Sequence, residues 1–176
     1  FSTCTSLANV EPFLPDAVSS IGQMAFYGCP VTNDFILTNP QLTTLPGEYA
    51  SYGSFTALRS KLMDFSKSGL TSISDRAFKA VTGIERVNFP ETLTSIGAVA
   101  FYGCTGVREM SFLSYADTLF NRDRPFEDFA AGDYKVRFLY PKTSDAWKGR
   151  IQSDATFIPW DGEGGVGADN QAIYNE

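Results

Sequence analysis

The sequence has 176 residues and no histidine. The absence excludes Ser/His/Asp and Cys/His catalysis, His-ligated metals and histidine-based pH switches, because each of these needs an imidazole. Cysteine is scarce, and Cys4, Cys29 and Cys104 have no CxxC spacing that would indicate a zinc site. No apolar run approaches the roughly 18 residues that cross a bilayer. We therefore expect no catalytic residues, no metal, no cofactor and no direct membrane insertion.

Basic residues are missing from both ends of the chain. Residues 1–58 contain four acids and residues 151–176 contain five, and neither segment contains Lys or Arg. The formal net charge is −6. Because phosphate recognition needs clustered Lys and Arg, we expect neither nucleic acid nor an anionic membrane surface as a partner. The chain starts with Phe1 and not with Met, so we expect any targeting segment to have preceded it.

The chain is rich in internal repetition. The segment SIGQMAFYGC (residues 20–29) returns as SIGAVAFYGC (95–104) and, more loosely, as SISDRAFKAV (72–81). A period of about 25 residues is typical of a solenoid, in which stacked units bury like residues on like. In the coil of residues 42–56 we place Phe55 in the slot that Cys29 and Cys104 occupy. The spacing predicts aromatic corners at Phe1, Phe26, Tyr52, Phe78, Phe101 and Phe126.

Each unit also contains a strand pattern. IERVNF (84–89) and VREMSF (107–112) alternate apolar and polar residues, as a half-buried strand does. The A-F-Y-G-C stretch is too short for a free helix and predicts one helical or 3-10 turn at a corner. The segment DGEGGVGADN (161–170) lacks the order of a calcium loop, and we expect a flexible acidic tail or linker there.

The segment LTSIGAVAFYGCT (93–105) resembles the BspA-like leucine-rich repeat of bacterial surface proteins, and VRFLYPKTSDAWKG (136–149) is similar to the ending of such arrays. The resemblance implies an α/β fold, a leucine-rich-repeat right-handed solenoid over residues 1–160 with a C-terminal cap at about 136–160. Residues 161–176 would form the acidic Gly-rich tail. The resemblance also implies a secreted or surface-anchored bacterial protein with roles in adhesion or protein binding. The chain departs from the pattern at 42–56 and 113–129, where the turns are expected to bulge.

Polar residues between the apolar strand positions are the candidate binding residues. Repeat proteins bind through extended concave surfaces, so we expect a protein ligand there, with host surface or matrix proteins as candidates. The alternative interpretation is a merely solvated strand face. The candidate residues are Asn9, Glu11, Asp34, Asp64, Arg86, Asn88, Glu109 and Ser111.

The sequence also leaves alternatives to protein binding through the strand face. A structural spacer that displays another domain is the main alternative function. Carbohydrate binding would need exposed aromatic residues in a row, and we expect Trp147 and Trp160 to pack in the cap instead. Cys4 and Cys29 occupy the same slot of adjacent coils. We expect them mainly as small apolar thiols, with a disulfide as the alternative.

Overall fold

The fold is formed by two sheets of short strands. A computed structural model of the protein describes residues 1–9, 14–47 and 54–114, together with the strand segments 136–140, 157–159 and 170–174. The larger sheet has seven strands in the order β1-β3-β5-β7-β8-β10-β9, and the smaller has the order β2-β4-β6. The strands are β1 Phe35–Ile36, β2 Thr44–Leu45, β3 Leu62–Asp64, β4 Ser72–Ile73, β5 Arg86–Phe89, β6 Ser95–Ile96, β7 Glu109–Phe112, β8 Val136–Tyr140, β9 Phe157–Pro159 and β10 Asn170–Tyr174.

From β1 to β7 the strands alternate between the two sheets along the chain, so that each coil contributes one strand to each sheet. Neighbouring strands of one sheet then belong to successive coils and run parallel. In the larger sheet Met63 pairs with Val87, which pairs with Met110, and in the smaller sheet Ile73 pairs with Ile96. The predicted solenoid of short parallel strands is confirmed.

Side-chain alternation determines which strand residues enter the core. In β5, Val87 and Phe89 are buried, whereas Arg86 is exposed and Asn88 is half-buried. Successive strand residues point to opposite faces, so this pattern buries one face and leaves the other open. Pro90 directly follows β5 and has no N–H group to continue the ladder. The strands predicted from IERVNF and VREMSF are therefore confirmed as β5 and β7.

The core contains a column of stacked phenylalanine rings. The ring centroids of Phe26 and Phe55 lie 5.9 Å apart, those of Phe55 and Phe78 lie 5.0 Å apart, and those of Phe78 and Phe101 lie 5.2 Å apart. All four side chains are buried. Each coil contributes one ring, so the column fixes how the coils stack. The prediction that Phe26, Phe78 and Phe101 occupy equivalent positions is confirmed.

The predicted register of the coil between Phe26 and Phe78 is wrong by three residues. Phe55, and not Tyr52, provides its stacked ring. Leu58, and not Phe55, occupies the cysteine slot, because its N–H donates to the Phe55 carbonyl at 3.1 Å as the Cys29 N–H donates to Phe26. A phenylalanine ring can be buried without a partner, whereas a buried tyrosine hydroxyl needs one. Tyr52 and the predicted corner at Phe126 lie outside the described residues.

The corners are built from overlapping turns, and the described residues contain no helix. In one corner the N–H groups of Ala77, Lys79 and Val81 each donate to a carbonyl three residues earlier, at 3.1–3.3 Å. Arg76 and Ala80 have φ angles of 55° and 60°. A positive φ at the third residue is the mark of a type II turn, and a right-handed helix has negative φ throughout. These corners therefore replace the expected helical or 3-10 turns.

The remaining N–H groups of this corner donate to the next coil. Arg76 donates to the Ala98 carbonyl at 3.1 Å, and Ala80 donates to the Tyr102 carbonyl at 2.7 Å. Between them, the Phe78 N–H reaches the next coil in the same way. Successive N–H groups thus alternate between a partner in their own coil and a partner in the neighbouring coil. This alternation satisfies the backbone groups that a buried corner would otherwise leave unpaired.

Asn39 ties two coils together by polar contacts inside the core. Its Nδ2 donates to the carbonyls of Pro15 at 2.6 Å and Val18 at 2.8 Å, both in the preceding coil. Its Oδ1 accepts from the N–H groups of Gln41 at 2.7 Å and Leu42 at 3.0 Å. The side chain is fully buried, and four hydrogen bonds compensate for its burial.

In the larger sheet, the strand pairing changes from parallel to antiparallel after β8. The resemblance to array endings predicts a last strand here, and β8 pairs parallel with β7 as that strand would. β10 lies between β8 and β9 and is antiparallel to both. The segment expected to be a flexible tail, residues 161–176, therefore contains a strand at Asn170–Tyr174. The boundary at residue 160, Trp147 and Trp160 lie outside the described residues, so the division into solenoid, cap and tail stays a prediction.

Candidate binding surface

The outward side chains of the larger sheet form two rows. In one row Arg86 pairs with Glu109, and in the other Asp64 pairs with Asn88, which pairs with Ser111. Strands in a sheet lie roughly 4.8 Å apart, so the members of a row are immediate neighbours. The structure thus brings five of the eight predicted binding residues together on one face. We call this face the outer face of the larger sheet.

The other three predicted residues are not placed in these rows by strand pairing. Asp34 is exposed and directly precedes β1, which puts it one residue before the Phe35–Met63 pair and level with Leu62. Asn9 is exposed but belongs to no described strand. Glu11 lies outside the described residues. Asp34 therefore extends the row of Arg86, whereas Asn9 is not shown to share the face.

The charges on and beside the outer face are mixed in sign. Arg86 is exposed and lies level with the half-buried Glu109. At the rim, the Lys61 Nζ lies 2.6 Å from the Glu85 Oε1. Their hydrogen bond raises the pKa of Lys61 and lowers the pKa of Glu85. Both side chains are largely exposed, so solvent screens the pair and its contribution to stability is small. A face of this kind favours a partner with a mixed polar surface over a strongly acidic or basic one.

Apolar side chains flank the polar rows, and the sequence analysis missed them. Ile36 is 47% exposed and pairs with Asp64, at one end of the row that contains Asn88. Leu139 is half-buried and pairs with Ser111 at the other end. The period-2 pattern that places Phe35 inward also places Ile36 outward, so the sequence already indicated an exposed apolar side chain here.

The smaller sheet presents a stripe of hydroxyl groups. The Thr71 Oγ1 donates to the Thr43 carbonyl at 3.1 Å, and the Thr94 Oγ1 donates to the Thr71 carbonyl at 3.0 Å. The hydroxyls of Ser72 and Ser95 lie 3.1 Å apart. Each of these contacts joins one coil to the next. The stripe therefore supports coil stacking, and the repeated L-T-S of residues 70–72 and 93–95 was its signal in the sequence.

A shallow polar cleft of about 410 Å³ lies beside the hydroxyl stripe. The Asp75 Oδ1 at its wall accepts the Ala98 N–H at 2.8 Å. A Cβ atom at Gly97 would overlap the backbone and carboxylate of Asp75, so the glycine is needed for the coils to approach closely. The cleft walls thus serve coil packing. The described residues that line the cleft are Gln23, Pro46, Gly47, Ser72, Ile73, Ser74, Asp75, Ser95 and Gly97, with no aromatic ring among them.

Neither a metal-ligand cluster nor a membrane-spanning helix is present among the described residues. Over those residues, no group of three or more Cys, Asp or Glu side chains is arranged to hold a metal ion. The same residues include no helix of sufficient length and apolar character to cross a membrane.

The stacked coils, parallel strands and phenylalanine column define a repeat protein of the leucine-rich class. The family model described as BspA type leucine rich repeat region matches the chain in 6 copies over residues 1–108, and the chain belongs to this family. No curated protein and no solved structure matches it. The family is typically surface-associated in bacteria, and its repeat is a module often used in protein interaction and generally without catalytic activity.

Proposed function

We propose that the protein is a non-catalytic cell-surface or secreted module that binds another protein through the outer face of the larger sheet. The observation that carries this proposal is the pairing that collects Asp64, Arg86, Asn88, Glu109 and Ser111 on one open face. Family membership supports a role in protein interaction. A bacterial surface location and a role in adhesion to host surface or matrix proteins are parts of the same proposal.

The geometry suits a partner that presents a polar segment between two apolar side chains. Asn88 and Ser111 provide hydrogen-bond donors and acceptors at the spacing of adjacent strands. Ile36 and Leu139 lie at the two ends of their row and provide apolar contacts. The buried side chains beneath hold the strands in place, which limits the conformational entropy that binding would cost.

The test is surface plasmon resonance against purified matrix and host surface proteins, with two matched variants. Asn88→Arg places a long charged side chain in the middle of the outer face. Thr44→Arg makes a change of the same kind at an exposed position of the smaller sheet. We expect Asn88→Arg to weaken binding at least about tenfold, or about 1.4 kcal/mol, and Thr44→Arg to leave it unchanged.

Two results would contradict the proposal. Equal weakening by both variants would mean that the outer face is not the binding surface. Binding to no protein in the panel would favour the second candidate function, a structural spacer that displays another domain. The spacer is supported by the hydrogen bonds that join successive coils among the described residues, and it predicts that Asn88→Arg has no functional effect.

A further inference from the structure

Cys4 and Cys29 occupy equivalent positions in adjacent coils. The Cys4 N–H donates to the Phe1 carbonyl at 3.0 Å, and the Cys29 N–H donates to the Phe26 carbonyl at 3.1 Å, so both cysteines close the same kind of turn. The rings of Phe1 and Phe26 stack with centroids 5.6 Å apart. The Thr3 N–H donates across the coils to the Tyr27 carbonyl at 2.6 Å. The two turns are thus stacked in register.

The Cys29 thiol and the Cys4 backbone meet at one carbonyl oxygen. The Cys29 Sγ donates to the Phe1 carbonyl at 2.8 Å, and this is the same oxygen that accepts the Cys4 N–H. Cys4 also lies close enough to Cys29 to affect the pKa of its thiol. A disulfide requires a Cα separation of roughly 4.4–6.8 Å, and the roughly 4.8 Å spacing of stacked coils falls inside this range.

The three cysteines differ in solvent exposure. Cys4 is exposed, whereas Cys29 and Cys104 are buried. Burial raises the pKa of Cys29 and raises that of Cys104 to about 12. The Cys104 thiol donates to the Phe78 carbonyl at 3.1 Å, and its slot in the preceding coil is filled by Val81. Cys104 is therefore an internal control for the behaviour of a buried thiol.

We propose that Cys4 and Cys29 form a disulfide that joins the coil of residues 1–9 to the next coil, with exposed Cys4 as the thiol that reacts first. The Cys4 thiolate attacks a small-molecule disulfide such as oxidised glutathione and releases one glutathione thiol. The Cys29 thiolate then attacks the Cys4 sulfur of this mixed disulfide and releases the second. Two protein thiols are oxidised to one disulfide, and one glutathione disulfide is reduced to two thiols.

A disulfide at this position would stabilise the first coil against local opening. Residues 1–9 are exposed except for Leu7, which is half-buried, whereas Val107 at the same position of a later coil is buried. The first coil is therefore the least well packed described part of the solenoid, and it is expected to open most often. A covalent link from Cys4 to Cys29 would restrain that opening.

The experiment treats the reduced full chain with oxidised glutathione and then counts free thiols under denaturing conditions. We expect the count to fall from three to one, and peptide mapping by mass spectrometry to show Cys4 linked to Cys29 with Cys104 free. Cys104→Ser should form the same bridge. Cys29→Ser should stop at a glutathione adduct on Cys4, and Cys4→Ser should yield neither product.

Limited proteolysis provides a second readout. Cleavage within residues 5–28 should become about tenfold slower after oxidation, because cleavage follows the population of the opened state. Dithiothreitol should reverse the protection, and Cys4→Ser should never acquire it. Three persisting free thiols, a stable glutathione adduct on Cys4 of the parent protein, a link that includes Cys104, or a link between two molecules would each overturn the proposal.

Discussion

Removing the ring of Phe78 should destabilise the protein more than removing any exposed aromatic ring. Phe78 is fully buried and lies at the centre of the phenylalanine column. Its ring centroid is 5.0 Å from that of Phe55, 5.2 Å from that of Phe101 and 6.1 Å from that of Phe65. Phe78→Ala therefore removes contacts with the coils on both sides.

The expected magnitude follows from these contacts. A buried Phe→Ala change costs roughly 3–5 kcal/mol, from lost burial and from the cavity that remains. Each aromatic pair contributes about 0.5–1.5 kcal/mol beyond burial, and Phe78 loses three pairs. We therefore expect a loss at the upper end, about 4–5 kcal/mol. That is a large fraction of the roughly 5–15 kcal/mol by which domains are stable.

Urea unfolding followed by circular dichroism and by fluorescence would measure the loss. Coincident transitions are required, because repeat proteins can unfold in steps. Phe1→Ala is the matched control. Phe1 is 70% exposed and stacks on Phe26, so its loss should cost less than about 1 kcal/mol. Phe78→Leu fills most of the volume and should cost about 1–2 kcal/mol.

Two outcomes would refute this reasoning. A loss below about 2 kcal/mol for Phe78→Ala would mean that the ring is not enclosed by its neighbours. A comparable loss for Phe1→Ala would mean that burial does not determine the contribution of each ring. Either result would remove the physical basis of the coil register.

Other positions test the polar and backbone contacts. Asn39→Ala should cost about 2–4 kcal/mol in urea unfolding, because it leaves the buried Leu42 N–H and the part-buried carbonyls of the preceding coil without this partner. Gly103→Ala should lower stability by about 1–2 kcal/mol, since its φ is 70° and space is available for a methyl group. Gly106→Ala should cost more, seen as a lower yield of folded protein, because its Cβ would overlap a carbonyl oxygen of the preceding coil. Lys61→Ala should lower the melting temperature slightly at low salt and not at high salt. The lowered pKa of Glu85 means that the stabilising effect of the pair is lost as pH falls through 4.5 and below. The raised pKa of Lys61 means that the effect is lost only as pH rises past 10.5.

The solenoid could be predicted because several positions repeat in three copies. The Phe in each A-F pair and the alternating strand residues are buried or exposed as the spacing indicates. The coil between Phe26 and Phe78 could not be placed correctly in the same way. Ten positions separate Leu45 from Phe55, whereas five separate Ile73 from Phe78. With Tyr52 and Phe55 both available, spacing alone could not decide which ring stacks.

The corner conformation has a sequence signal only in its glycines, since Gly28 and Gly103 of the two A-F-Y-G-C copies have φ angles of 71° and 70°. Met24, Arg76 and Val99 adopt positive φ angles of 59°, 55° and 47°, and none of them is a glycine. Side chains of these types usually avoid that region, so local preference predicts a helical turn instead. In the corner that contains Arg76, the neighbouring coil overrides the preference by accepting every second N–H group. This contact is long-range and cannot be seen in any single repeat.

The outward position of these strand residues was predictable, whereas a ligand was not. Alternation identified the outward residues of β3, β5 and β7, and pairing then joined them into rows. The apolar ends of the row at Ile36 and Leu139 were overlooked because polar residues alone were considered. The partner depends on the shape and chemistry of side chains on a scaffold that many functions share, so the repeat does not specify it.

The alternating hydrogen bonds of the corners restrict where a repeat can change in length. Inserting one residue between Ser74 and Val81 would invert the order of the N–H groups. Beyond the insertion, the N–H groups that now reach residues 98–102 would face their own coil, and their bonds to the next coil would be lost. The stretch between Leu45 and Phe55 already holds five more positions than its counterpart before Phe78. Insertions are thus accommodated ahead of the corner, while substitutions on the outer face leave the corner bonding intact.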